Sequence, residues 1–239
     1  DLAYHRNKFI ERKFSRVIDL LGTDHHAHAV RMKNAMPAMG IDKDKLDLVL
    51  FQLVRLMRGG ETVRMSKRTG RAVSLNDLLD ETGVDAARFF FNMKASGSHL
   101  DFDLDLAVKQ SNENPVFYVQ YAHARICSML RVLKQDGIDV DFDDCPPLEV
   151  LVKEEEKQLM RTLANYPQEI LISARTLEPG RLTRYVMDVA GAFHSFYNAC
   201  RVKGEEQSLM IARIALVKAT VSVIRNVLLV LSISAPEKM

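Results

Sequence analysis

Three groups of residues in this sequence have the types and spacing for chemistry. The first is Gly22-Thr23-Asp24-His25-His26-Ala27-His28, where three histidines and an aspartate follow a glycine. On a helix start, positions i, i+1 and i+3 do not aim three imidazoles at one ion, so a metal centre is not expected. If a strand ends at Gly22 and a helix follows, the corner suits a nucleotide. Ligands of open α/β sheets sit beyond the carboxyl ends of strands, and a helix N-terminus favours anions. An aspartate there can accept ribose hydroxyls. A capped helix with solvated histidines is the simpler alternative.

The second group is Gly59-Gly60-Glu61-Thr62-Val63-Arg64-Met65-Ser66-Lys67-Arg68-Thr69-Gly70. Glycines on both sides let such a loop move, and Lys67 and Arg68 carry cationic heads at its middle. A loop of this kind can close over a triphosphate and stabilise charge developing on the phosphates; a basic surface turn is the alternative. The third group follows Asn114-Pro115. At 100° per residue Tyr118, Tyr121 and Arg125 share one face, nearly opposite Val116, Val119, Ile126 and Leu130. Two phenols and a guanidinium can stack an unpaired base, although a second core face would use the same residues. His123 falls in the apolar stripe and reads as a core histidine.

These groups need elements to hold them. Arg16–Leu21 is a β-branched apolar run closing on Gly22, hence a buried strand. A helix is predicted over Ala27–Met39 and a strand or hairpin over Leu46–Met57. Short helices open at Asn76 and at Asp85, with Asp85 as N-cap. After Asp105 nearly everything is helical. Asn114 caps a helix whose first residue is Pro115, and a later helix lines up Leu182, Tyr185, Val186, Val189, Phe193, Phe196, Tyr197 and Cys200. Asp136–Pro147 is an acidic, proline-containing loop.

Composition narrows the function classes. The 239 residues are 47% hydrophobic and 27% charged, too apolar for a disordered chain and too charged for a membrane protein. Arg213, Lys218 and Arg225 interrupt the apolar stretch Leu209–Ile233, which therefore reads as a buried helix. A formal net charge of +2 excludes a strongly basic, sequence-blind nucleic-acid coat. From Val108 onward acidic and basic residues are equal in number. The concentrated positive field lies between Phe51 and Ala72, where Arg55, Arg58, Arg64, Lys67, Arg68 and Arg71 face only Glu61. Cys127, Cys145 and Cys200 have no metal or disulfide spacing, which points to a reducing cytoplasm.

Arg64-Met65-Ser66-Lys67-Arg68 resembles the Lys-Met-Ser-Lys-Ser signature of class I aminoacyl-tRNA synthetases. The order of further segments is similar to arginyl-tRNA synthetases of the bacterial type: Asp85-Ala86-Ala87-Arg88-Phe89-Phe90-Phe91, Asp101-Phe102-Asp103-Leu104-Asp105-Leu106, Asn114-Pro115-Val116, Tyr121-Ala122-His123-Ala124-Arg125 and Ser234-Ala235-Pro236-Glu237-Lys238-Met239. The resemblance covers the whole chain. It implies a mainly α fold, in which a C-terminal α-helical bundle, the anticodon-binding domain, follows the C-terminal remnant of a Rossmann-like α/β nucleotide-binding domain. The implied division is 1–60 for the remnant, 61–107 for the signature loop and connecting helices, and 108–239 for the bundle.

The resemblance also implies a reaction, in which ATP and arginine form an adenylate and arginine passes to tRNA-Arg. Asp1 would hold the substrate guanidinium. Gly22, Asp24 and His26 would meet the adenosine, with Asp24 on the ribose. Lys67, assisted by Ser66, would neutralise phosphate charge, with Met65 and Arg68 beside the ATP. Tyr118, Tyr121, Arg125, Tyr197, Asn198 and Arg201 would touch the tRNA. ATP is expected as substrate with Mg2+ alongside it and no tightly bound cofactor; neither DNA nor a membrane is an expected partner. The class signature His-x-Gly-His does not occur in the sequence. The chain is thus expected to be a C-terminal piece that cannot make the adenylate alone. A free-standing RNA-binding module is the alternative.

Overall fold

The computed structural model describes residues 1–63, 73–138 and 146–239. It divides into two compact units, one of Asp1–Leu56 with Lys94–Phe102, the other of Met57–Met93 with Asp103–Met239.

In the first unit, helix α1 (Leu2–Arg6) continues into a π-turn, Asn7–Glu11, and strand β1 (Val17–Gly22) follows. A 3-10 turn, Thr23–His25, leads into α2 (His26–Ala35), and the chain returns as β2 (Leu46–Phe51). β1 and β2 are parallel, in register from Val17↔Leu46 to Gly22↔Phe51. Parallel strands need a crossover, and α2 supplies it. Phe9, Val17, Met32, Met36, Ile41 and Leu46 form the core between helix and strands. The helix predicted to reach Met39 stops at Ala35, because Pro37 has no N–H to continue the ladder. A 3-10 turn over Pro37–Met39 and Gly40 at φ 73° complete the exit.

The stretch Leu46–Met57 is not one hairpin. After β2 the chain runs through Gln52 and Leu53 into β3 (Val54–Arg58), which pairs antiparallel with β4 (Glu61–Thr62) across Gly59-Gly60. Both glycines have positive φ, 58° and 79°, as a tight two-residue turn requires.

The second unit is helical apart from its short strands. Helix α3 (Leu75–Thr82) opens on a reciprocal box in which Ser74 and Asp77 cap each other's backbone. Gly83, at φ 77°, starts α4 (Val84–Phe91). Asp85 does not cap this helix as expected: it lies inside the first turn, and its carboxylate points to Gln120 and Ser234 instead. Strand β5 (Leu100–Asp103) ends the later segment of the first unit; after α5 (Leu104–Ala107), the bundle of the second consists of α6 (Pro115–Gln135), α7 (Glu154–Ala164), α8 (Tyr166–Thr176), α9 (Gly180–Ala199) and α10 (Gln207–Val230). α9 packs against α6, α7, α8 and α10. Its Leu182, Tyr185, Val186, Val189, Phe193 and Phe196 are buried, as the periodicity predicts, and so is Cys200, which caps the helix rather than extending it, whereas Tyr197 is 40% exposed. Among the described residues no helix is long and apolar enough to cross a membrane.

Candidate nucleic-acid interface

Asn114 sets the rotation of α6. Its Oδ1 accepts from Val116 N at 3.2 Å, while its Nδ2 donates to the carbonyls of Ala107 and Lys109. With that end fixed, Val116, Val119, His123 and Ile126 face the core, and Leu130 is half-buried. His123 Nδ1 bonds the Pro236 carbonyl at 2.9 Å, so it is a satisfied core histidine.

On the other side of α6, Tyr121 and Arg125 are half-buried, and Arg125 meets Tyr197 of α9. The Arg125 guanidinium carbon lies 4.8 Å from the Tyr121 ring centre and 4.7 Å from that of Tyr197. Its Nη2 donates to the Tyr121 hydroxyl at 3.0 Å. The cation is thus held by two π faces and one hydrogen bond. Beside it opens a groove of about 1010 Å³. Arg131, Arg201, Lys203 and Lys238 add positive charge to its lining, which also includes Glu237. Lys203 is partly neutralised by Asp136 at 2.7 Å.

The structure therefore brings Tyr121, Arg125, Tyr197 and Arg201 to one groove. Tyr118 lies apart. Its ring sits 4.9 Å from that of His194, and its hydroxyl lies close to Gly191, 3.5 Å from where a Cβ would stand, which is ordinary van der Waals contact. Burial raises the pKa of this phenol. Asn198 is exposed and outside the groove lining. Ser128, Met129 and Val132 also line the groove. They repeat the Tyr121 face at i+7, i+8 and i+11, so the same helical period points to them. Residues 237–239 form another wall, which no local pattern in the sequence places there.

His194 lies behind the platform, 6.4 Å from the Tyr121 ring. Among the described residues its Nε2 is buried without a hydrogen-bond partner. Burial first, and then the Arg125 charge, lower its pKa and favour the neutral imidazole.

The strand–helix corner belongs to the other unit. Gly22 ends β1 two residues before Asp24, and a Cβ at Gly22 would stand 2.5 Å from the Asp24 Oδ1. A side chain at Gly22 would therefore require the exposed Asp24 carboxylate to turn away from the strand end. The Asp24 side chain is 82% exposed and His26 is exposed at the start of α2, so both are open to a ligand. Asp1 Oδ2 is 3.1 Å from His28 Nε2. Among the described residues no cluster of histidine, cysteine and carboxylate side chains could hold a metal. Met65, Ser66, Lys67 and Arg68 lie outside the described residues.

The DALR anticodon binding domain model matches residues 119–239. An arginine–tRNA ligase of Acetivibrio thermocellus is 70% identical over all 239 residues, which are 42% of its length. That of Ruminiclostridium cellulolyticum is 66% identical over the same span, again 42% of its length. A Campylobacter jejuni chain described as an arginyl-tRNA synthetase superposes with a TM-score of 0.85 at 28% identity, covering 100% of this chain and 51% of that one. The chain thus spans less than half the length of the curated relatives it matches.

Proposed function

We propose, since this chain belongs to the DALR anticodon binding domain family, that its helical part reads the anticodon of tRNA-Arg as the C-terminal portion of an arginine–tRNA ligase. One observation carries the reading: Arg125 is clamped between Tyr121 and Tyr197 at the edge of a groove rimmed by further cations. Such a groove offers an unstacked base a π surface and offers its phosphates positive charge. Tyr121, Arg125, Tyr197 and Arg201 are the residues we assign to it, with Tyr118 supporting the platform from behind and Asn198 at its exposed margin.

We assign residues 1–60 to the end of a nucleotide-binding catalytic domain, 61–107 to its signature loop and connecting helices, and 108–239 to anticodon binding. In the catalytic part Gly22, Asp24 and His26 would take the adenosine of ATP and Asp1 the arginine side chain. Lys67 and Ser66, with Met65 and Arg68, would meet the phosphates, and Mg2+ would accompany them. The reaction is ATP-dependent arginylation of tRNA in the cytoplasm. Its adenylate step requires the remainder of the relatives' length, and this chain alone is inactive in that step; steady ATP–pyrophosphate exchange by the purified chain would contradict this.

The test of the anticodon assignment is binding of tRNA-Arg, and of a variant with its anticodon replaced, across a salt series. Phosphate contacts lose affinity steeply with salt for both RNAs. Stacking and hydrogen bonding to the right bases keep the two apart at every salt concentration. Equal affinity for the two RNAs throughout would remove the anticodon from the reading.

A further inference from the structure

We infer that Asp85 is a positioning residue for the groove: through Ser234 it holds the chain that follows α10 against α6, so that Lys238 and Met239 form a groove wall. The inference rests on the groove being an RNA site, and it adds a residue remote from the groove to the machinery of that site.

The chain is turned toward α6 at the end of α10. Ser232 adopts φ 55°, Ser232 N bonds the Leu229 carbonyl at 2.9 Å, and Ile233 N bonds that of Leu228 at 2.8 Å. This is a left-handed helix stop, sealed by the buried Leu228 and Ile233 side chains. The next residue meets Asp85. Ser234 N donates to Asp85 Oδ1 at 3.0 Å, and the Ser234 hydroxyl donates to Oδ2. Gln120 Nε2 closes the cluster, donating to Asp85 Oδ2 at 2.9 Å and to the Ser234 carbonyl at 3.0 Å. A carboxylate is the side chain that can accept all three donors at once, and charge-assisted bonds of this kind are the stronger ones. Its place in the first turn of α4 favours the anion as well.

Beyond Ser234 the chain is fastened along α6 in steps. His123 Nδ1 donates to the Pro236 carbonyl at 2.9 Å, and Arg131 Nη2 reaches the Glu237 carbonyl at 3.4 Å. Glu237, Lys238 and Met239 then line the same groove as Arg125 and Tyr197. Lys238 and Met239 are exposed, so their position depends on the fastening upstream. Releasing Asp85 would leave the wall to be ordered anew at each binding event, which costs affinity.

The test is a double-mutant cycle on the full 239-residue chain, with the anticodon stem-loop of tRNA-Arg as the probe. Asp85→Ala weakens binding about tenfold, on the scale of ordering a few long side chains. The paired replacement Lys238→Gly with Met239→Gly weakens it by a similar factor. All three changes together bind no worse than either set alone, because Asp85 acts only through that wall. A general loss of fold would instead multiply with the wall replacements. Ser234→Ala, which keeps the backbone bond to Asp85, gives a smaller loss that also vanishes when the wall pair is replaced, and it serves in place of Asp85→Ala if that variant does not fold. Unchanged affinity in Asp85→Ala, or losses that multiply, would overturn the inference. Should Arg125→Ala leave the stem-loop bound as before, the RNA reading of the groove is what fails, whatever the cycle gives.

Discussion

Glu156 of α7 and Arg213 of α10 form an ion pair, Nε to Oε1 2.7 Å, with side chains 0% and 2% exposed. The second Glu156 oxygen accepts from Lys153 N at 2.8 Å. Arg213 Nη1 donates to the Arg201 carbonyl and lies 3.5 Å from Glu205 Oε1. The Glu156 charge therefore has the guanidinium and one backbone N–H to satisfy it. Arg213→Met strands that carboxylate in the core and should cost about 3–5 kcal/mol, whereas pairing it with Glu156→Leu should recover most of that loss. Chemical denaturation of the parent, the single and the paired variant checks this. A single variant as stable as the parent would mean that water reaches the pair.

Tyr118 and Tyr121 share a helix face but should respond differently. Arg125 and the Tyr121 ring are presented to the groove, so Tyr121→Ala and Arg125→Ala should each weaken RNA binding by about 1–3 kcal/mol, the scale of one base–aromatic stack. Tyr118 is engaged with His194 and the space above Gly191. Tyr118→Ala should lower the melting temperature more than either groove variant does, while costing less affinity. Anisotropy titration and thermal melting, run on the same three proteins, separate the two roles.

Acid should loosen the first unit through Asp19. Burial by itself would raise this carboxyl, but hydrogen bonds from Lys8 at 2.9 Å and from His5 at 2.5 Å, together with their charges, hold its pKa below the usual range. A depressed carboxyl stabilises the fold fully above its unfolded pKa of about 3.9 and loses that contribution as pH falls through the folded value. Protection of the α1 and β1 amides, measured relative to their intrinsic exchange rates, should therefore fall on acidification below about pH 4, and Asp19→Asn should show the lower protection already at neutral pH. Identical exchange in the two proteins at neutral pH would rule the latch out.

Periodicity made the bundle legible. Asn114-Pro115 announced α6, and the apolar spacing of α9 marked its buried face, because one helix dictates its own pattern. Strand partners were not legible in the same way. Leu46–Met57 has the composition of a hairpin, yet its first half pairs with β1 through a crossover, a choice made by tertiary packing. Asp85 misled for a related reason. An acidic residue near a helix start reads as a local cap, while its partners Gln120 and Ser234 are distant in sequence. Net charge also concealed the groove: the chain from Val108 onward is neutral overall, but folding gathers Arg125, Arg131, Arg201 and Lys238 around one groove, whose lining holds Glu237 as its one acidic residue among those described, while Glu156 is buried in the core.

His194 gives the bundle its own dependence on pH. The imidazole faces Tyr118 and Tyr121 from α6 and Phe193 from its own helix, with the Arg125 charge nearby. Burial and that charge depress its pKa, so folding favours the neutral ring. A depressed histidine contributes stability that is complete above its unfolded pKa of about 6.5 and is lost as pH falls from there toward the folded value. The parent chain should therefore melt progressively lower than His194→Phe as pH drops from about 7 to 5, since phenylalanine keeps a ring against Tyr118 but has no proton to accept. The measurement is the difference in melting temperature between the two proteins across that range. A difference that stays constant with pH would show that the ring is not titrating in the folded bundle.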